Sequence, residues 1–64
     1  MTVTHYYAAR KIRGQWYAFV YHYDGSGNIE ISDYLSCSPS GSKASAEDDA
    51  CKWADDNGID ATCE

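Results

Sequence analysis

Gln15-Trp16-Tyr17-Ala18-Phe19-Val20-Tyr21-His22-Tyr23 is the stretch on which the fold turns. Aromatic and β-branched side chains dominate it, and such residues suit a pleated, half-buried backbone. Alternate residues of a strand face opposite sides. Trp16, Ala18, Val20 and His22 therefore share one face, and Gln15, Tyr17, Phe19, Tyr21 and Tyr23 share the other.

Working outward, residues 3–13 are also rich in β-formers, up to Gly14, which can turn the chain. On the other side, Asp24-Gly25-Ser26-Gly27-Asn28 reads as a compact hairpin loop whose glycines can adopt positive φ. Residues 29–35 alternate Ile29, Ile31 and Leu35 with Glu30, Ser32 and Tyr34, and read as a third strand. Asp33 interrupts the apolar set, so the far end of that strand is expected to be exposed. Short connections make the three strands an antiparallel meander.

Cys37 to Lys43 is loop, because Ser-Pro-Ser-Gly-Ser cannot continue a strand. The spacing then predicts a helix over 44–57. Ser42 or Ser45 can cap it, Ser45 with Asp48 fits a capping box, and Asn57-Gly58 is a stop signal. Ala46, Ala50, Trp53 and Ala54 recur at helical spacing as one narrow apolar stripe, and Asp48, Asp49, Asp55 and Asp56 fall opposite. The expected fold is α+β and two-layered: a three-stranded antiparallel sheet with one C-terminal helix packed on one face. The Tyr/Phe face of the second strand is expected to be the more exposed, since tyrosine tolerates water at its hydroxyl end.

A chain of 64 residues has room for a single small domain, spanning 1–64, with one small core. Six Tyr, two Trp and one Phe within a 44% hydrophobic composition mark it as globular rather than disordered. The longest apolar run, inside residues 16–23, is too short to cross a membrane and is broken by His22. The N-terminus lacks the pattern of a secretory signal, so the expected location is the cytoplasm. Cys37, Cys51 and Cys63 are odd in number and widely spaced, which suits reduced thiols better than a disulfide framework. A Cys37–Cys51 or Cys51–Cys63 bridge under oxidation stays open as an alternative. The close cysteine pairs of a zinc site are missing, and no local spacing gathers His5 and His22 with the cysteines. No metal or other cofactor is expected.

Charge is distributed unevenly. Residues 1–23 contain Arg10, Lys11 and Arg13 and no acid, whereas all ten Asp and Glu follow, against Lys43 and Lys52 alone. Residues 44–64 hold Glu47, Asp48, Asp49, Asp55, Asp56, Asp60 and Glu64 against Lys52, seven acids less one base, a net of −6. Acidic helix faces are often plain solubilising surface. Glu47, Asp48 and Asp49 read as residues of the first turns, where a carboxylate favours the helix dipole by about 0.3–1 kcal/mol, and Asp48 can pair with Lys52 at i,i+4. Asp55 and Asp56 have no such excuse, because the dipole opposes negative charge in the last turn. Helical rise of about 1.5 Å per residue spreads the acids at 47–56 over roughly 13 Å, a charge density close to the one charge per about 1.7 Å of duplex DNA. A groove built for phosphates would accept such a face. Candidate partner-binding residues are therefore Glu47, Asp48, Asp49, Asp55, Asp56 and Asp60. Tyr17 and Tyr21 join them, because exposed aromatic side chains are enriched in interface centres, although a tyrosine face can equally be core or a dimer seam. Catalysis is not expected. The sequence holds no nucleophile–His–Asp signature and no phosphate-cradling glycine loop, and its Asp pairs face water rather than a pocket.

Gly14-Gln15-Trp16-Tyr17-Ala18-Phe19-Val20 leading into an Asp-Gly turn, in strand-strand-strand-helix order, resembles the small DNA-binding domains of phage integrases over about residues 12–58. Those domains lay a basic sheet on DNA, so the resemblance implies a β-β-β-α interaction or DNA-binding module using the sheet face. This chain has an acidic helix and no basic stripe, and direct nucleic-acid binding is not expected. In size, acidity and its clustered Asp/Glu helix from Glu47 to Asp60, the chain is similar to the small acidic anti-CRISPR proteins of phages and mobile elements. The likeness is to members directed at type I, and in particular type I-C, systems. That resemblance implies a non-enzymatic inhibitor acting by binding in a bacterial host cell; separately, the chain is expected to be a monomer or a weak homodimer sealed by its Tyr/Phe face. Its acidic face would occupy a basic DNA-binding surface of the interference complex and block target DNA.

Overall fold

A computed structural model describes residues 5–25, 27 and 29–64. Val3, Thr4, Ser26 and Asn28, which the sequence reading assigns to the first strand and the hairpin loop, lie outside the described residues. The elements run β1 (His5–Ile12), β2 (Gln15–Tyr23), β3 (Glu30–Leu35), α1 (Lys43–Asp56) and β4 (Ala61–Cys63). β2 pairs antiparallel with β1 on one side and with β3 on the other, so the three expected strands form as read.

The sheet is nevertheless four-stranded and mixed, in the order β3-β2-β1-β4. β4 lies parallel to β1, matching His5 with Ala61, Tyr6 with Thr62 and Tyr7 with Cys63. This corrects the purely antiparallel three-stranded meander. Ala-Thr-Cys is too short to show a period of two, and its partner is set by where the helix delivers the chain rather than by local pattern.

α1 begins one residue before its expected start and ends one before its expected end. Ser42 is the cap: its extended backbone lets Oγ accept the Ser45 N–H at 3.1 Å. The Ser45–Asp48 capping box is thereby corrected, since Ser45 is itself the third helical residue. At the other end Gly58 takes φ +68°, donates to Asp55 O at 3.1 Å, and Ile59 donates to Ala54 O at 2.8 Å. These two bonds are the Schellman closure that Asn57-Gly58 announces.

The helix covers the Ala18/Val20 face of β2, which the register extends to Tyr7 and Ala9 of β1. Ala46, Ala50 and Ala54 are buried against it, and Ala18, Val20 and Ala50 form the centre of the core with Tyr7, Tyr34 and Trp53 around them. Side chains this small let helix and sheet approach closely. Trp53 closes one flank by stacking on Tyr34, with ring centroids 4.7 Å apart and planes 8° from parallel. A narrow helix seated over β1 and β2 leaves Ile31 of β3 exposed, together with Ile29 before it, while Leu35, opposite Phe19, is exposed on the face away from the helix.

β3 ends at Leu35, but its edge is continued by a serine. Ser36 donates its N–H to Ala18 O, and its Oγ accepts the Ala18 N–H, both at 3.0 Å. The buried polar group is thus satisfied on both sides. Between β1 and β2 the turn places Arg13 at φ 53° and Gly14 at φ +80°. Two successive positive φ values are the signature of the hairpin turn that matches strand twist, and Asn suits its first position better than Arg. Among the described residues no helix is long and apolar enough to cross a membrane.

Two stability outcomes follow from this packing. Ala50→Leu inserts three carbons where helix and sheet touch, and is expected to cost about 1–3 kcal/mol. For a domain of this size each kcal/mol lowers the melting midpoint by about 4–8 °C, so thermal unfolding checks it directly. Arg13→Asn relieves the left-handed strain and is expected to add about 1 kcal/mol, read as a higher denaturant midpoint at unchanged slope.

Candidate functional site

Two surfaces carry the expected functional residues, and they face opposite ways. Asp48, Asp49, Asp55 and Asp56 are all exposed on the solvent side of α1, with Asp60 exposed in the connection to β4. Among the described residues none of the five enters an ion pair within 4 Å, and the Asp48–Lys52 pair does not form. Starting the helix at Lys43 also moves the acids: its first turn contains no carboxylate and its last turn no base. Glu47, Asp48 and Asp49 therefore lie past the turn where the dipole would favour them, which corrects the capping explanation for that trio. The whole acidic run, and not Asp55 and Asp56 alone, lacks a local reason.

Glu47 departs from the others. It is half-buried on the flank facing β4, where its Oε2 accepts from Cys63 Sγ at 3.7 Å. With Tyr7, Ala44, Asp48, Cys51 and Cys63 it lines an open groove of about 240 Å³. Partial desolvation, the Glu47 carboxylate and its hydrogen bond hold the Cys63 thiol above its ordinary value, so little of it is thiolate at neutral pH. Cys37, Cys51 and Cys63 are all free and exposed. Asp49 sits near the other flank, where burial first and then the Asp49 charge raise the Tyr34 hydroxyl.

Tyr17 and Tyr21 are on the face of the sheet that the helix leaves open, as the alternation of β2 requires. Tyr17 is half-buried there. Tyr21, at 3% exposure, is not open to a partner at all. Its ring is packed between Phe19, Tyr6 and Tyr23 at centroid distances of 5.4, 5.5 and 5.7 Å. Arg10 reaches across from β1 and sets its guanidinium 4.8 Å from the Phe19 centroid and 5.5 Å from that of Tyr21. Glu64, just past β4, clamps Arg10 with a bidentate pair at 2.8 and 2.9 Å and accepts the Tyr21 hydroxyl. The expectation of an exposed Tyr/Phe face is thus right for the side and wrong for Tyr21. A cation–carboxylate lid covers it, and that lid exists only because β4 brings Glu64 alongside β1.

The lid has an electrostatic signature. Hydrogen bonds from Arg10 and Tyr21 hold the Glu64 carboxyl at about 2. Burial, and then the same hydrogen bond, push the Tyr21 hydroxyl well above its ordinary value.

A third grouping was not legible from spacing. His5 and His22 face each other directly across β1 and β2, and Asp33 joins them from β3. Strand register, which no local motif encodes, brings the three together. Comparison with known proteins finds no family model that matches this chain, and no curated protein or solved structure similar to it.

The Glu64 carboxyl is lowered on folding, so its contribution is present above the unfolded value near 4.5 and fades as pH falls toward 2. The denaturation midpoint of the parent should therefore drop between those values, and that of Glu64→Gln should drop less. Glu64 is 44% exposed, so solvent screening limits the difference to about 1 kcal/mol at neutral pH.

Proposed function

We propose that this protein is a non-enzymatic inhibitor that offers the outward face of α1 to a basic surface normally occupied by DNA. The observation that carries this reading is the exposed quartet Asp48, Asp49, Asp55 and Asp56, without an ion pair among the described residues, on a helix whose dipole gives none of them a local purpose. Carboxylates maintained against local stability are best explained by a partner that neutralises them. From Asp48 to Asp55 the helix rises about 10 Å, a span over which a phosphate-binding groove also distributes its cations. The likeness to small acidic anti-CRISPR proteins makes a type I CRISPR–Cas interference complex the proposed target and exclusion of target DNA the proposed effect.

The sheet-face alternative is the weaker of the two. Arg10, the cation on that face, is committed to Glu64 and lies 4.0 Å from Glu30. Lys11 rests over the Trp16 ring, 5.7 Å from its centroid, on the helix side of the sheet. Neither is left to meet a phosphate on the open face, so a duplex gel shift at low salt is expected to show no complex.

Changing Asp48, Asp49, Asp55 and Asp56 together to Asn tests the main reading. Four surface charges at about 0.5–1 kcal/mol each predict an affinity loss of roughly 30-fold or more for the target complex, and salt should weaken the parent in the same direction. The same variant should unfold at a slightly higher temperature, because Asp55 and Asp56 no longer oppose the dipole. Undiminished inhibition by the quadruple variant would show that the acids only keep the protein soluble.

A further inference from the structure

We infer that His5, His22 and Asp33 form a binding site for a divalent transition-metal ion of the zinc and cobalt kind. One ligand atom from each residue lies within 4.8 Å of the others. Asp33 Oδ2 is 2.6 Å from His22 Nδ1 and 3.6 Å from His5 Nε2, and the two imidazole rings are 4.9 Å apart, tilted by 49°. In a tetrahedral zinc site with bonds of about 2.0–2.2 Å, neighbouring ligand atoms are about 3.3–3.5 Å apart. The His5–Asp33 separation is already close to that value. His5 Nε2 and His22 Nδ1 thus approach the same carboxylate oxygen, which His22 engages at hydrogen-bond distance. Completing a three-ligand arrangement takes an opening of the His22–Asp33 contact by less than about 1 Å and a closing of the two imidazole nitrogens, which lie within 4.8 Å of each other, toward the same tetrahedral spacing.

The backbone supplies the second part of the case. His5 and His22 are a matched cross-strand pair, so their side chains emerge together on the helix side of the sheet. In β3 the register shifts, with Val20 opposite Tyr34 and Tyr21 opposite Ser32, leaving Asp33 as the extra residue of a bulge. Ile31 and Tyr34 keep their places on either side, and the inserted Asp33 turns its carboxylate to His22. A bulge that re-aims one side chain in this way is a recurrent device beside binding sites. All three ligands thus stand on strands, one each from β1, β2 and β3, rather than on mobile loops. Side-chain exposures of 22% for His5, 30% for His22 and 22% for Asp33 let an ion enter while leaving the groups largely sheltered.

Two imidazoles and a carboxylate suit zinc, cobalt or nickel rather than calcium or magnesium, which prefer all-oxygen sets. Three protein ligands leave a fourth position for water or for a donor from a partner molecule. The chain carries a net charge of −5, which favours any cation at the surface and makes the ligand set, not the charge, the thing to test.

The experiment is a Zn²⁺ and Co²⁺ titration of the full chain with Cys37, Cys51 and Cys63 changed to Ser, removing the competing thiols. Expected are one ion per chain, a cobalt spectrum of nitrogen and oxygen ligation, and zinc-dependent shifts of both imidazole resonances. His22→Gln and Asp33→Asn should each weaken binding about tenfold or more, in line with the loss of a ligand or its orienting partner. Should the cysteine-free chain not fold, the imidazole resonances of the reduced parent give the same reading. Imidazole resonances that do not move, or an affinity unchanged in both variants, would overturn the site.

Discussion

Close approach of one alanine-lined helix to one alanine-containing strand sets the terms for everything else in this molecule. With Ala46, Ala50 and Ala54 buried against the Ala18/Val20 face, only small side chains separate the two layers at the centre. Such a seam is dense but narrow, and it buries little apolar area for each residue ordered. The remaining burial has to come from rings at its margins, which is the part played by Tyr7, Tyr34 and Trp53. It also means that the far side of the sheet receives no helix. That side is closed by other means, a stacked row of aromatic side chains under the Arg10–Glu64 pair.

The division between the two faces gives the acidic helix its independence. Nothing on α1's outer side is needed to hold the fold, so those positions are free to be acidic without weakening the core. The open sheet face is the reverse case. Its one cation and the nearby acid are occupied with each other and with Tyr21, which suits a structural role more than recognition. A single flat partner cannot cover both sides of a two-layer molecule, so the proposed inhibitory contact belongs to the helix.

What could be read from the sequence was whatever local periodicity or punctuation encodes. The aromatic alternation of 15–23 placed β2, the Ala46/Ala50/Ala54 spacing placed α1's buried stripe, and Asn57-Gly58 ended it. Ser42, rather than Ser45, was settled by which oxygen reaches an unpaired N–H, a choice the spacing left open. β4 was invisible because three residues carry no period, and with it went the parallel pairing and Glu64's lid over Tyr21. Asp33 looked like a flaw in an alternating strand. It is the bulge residue, and the register that gives it His22 and His5 as neighbours is a property of three strands at once. The acidic positions were legible individually, whereas their relation to the dipole depended on a helix start that a single residue's shift altered.

The bulge has one more effect, on the sheet's outer boundary. The two edge strands, β3 and β4, are six and three residues long, and β3 is interrupted at Asp33. A stranger's backbone docking along β3 would find only a brief uniform ladder before the break in spacing and the charge-bearing Asp33. The exposed Ile31 and Leu35 would otherwise make that border sticky. Short, broken borders of this kind discourage edge-to-edge growth into fibres. A small chain with a thin core thus presents no long uniform strand edge to a second copy, even where apolar side chains beside that edge are uncovered.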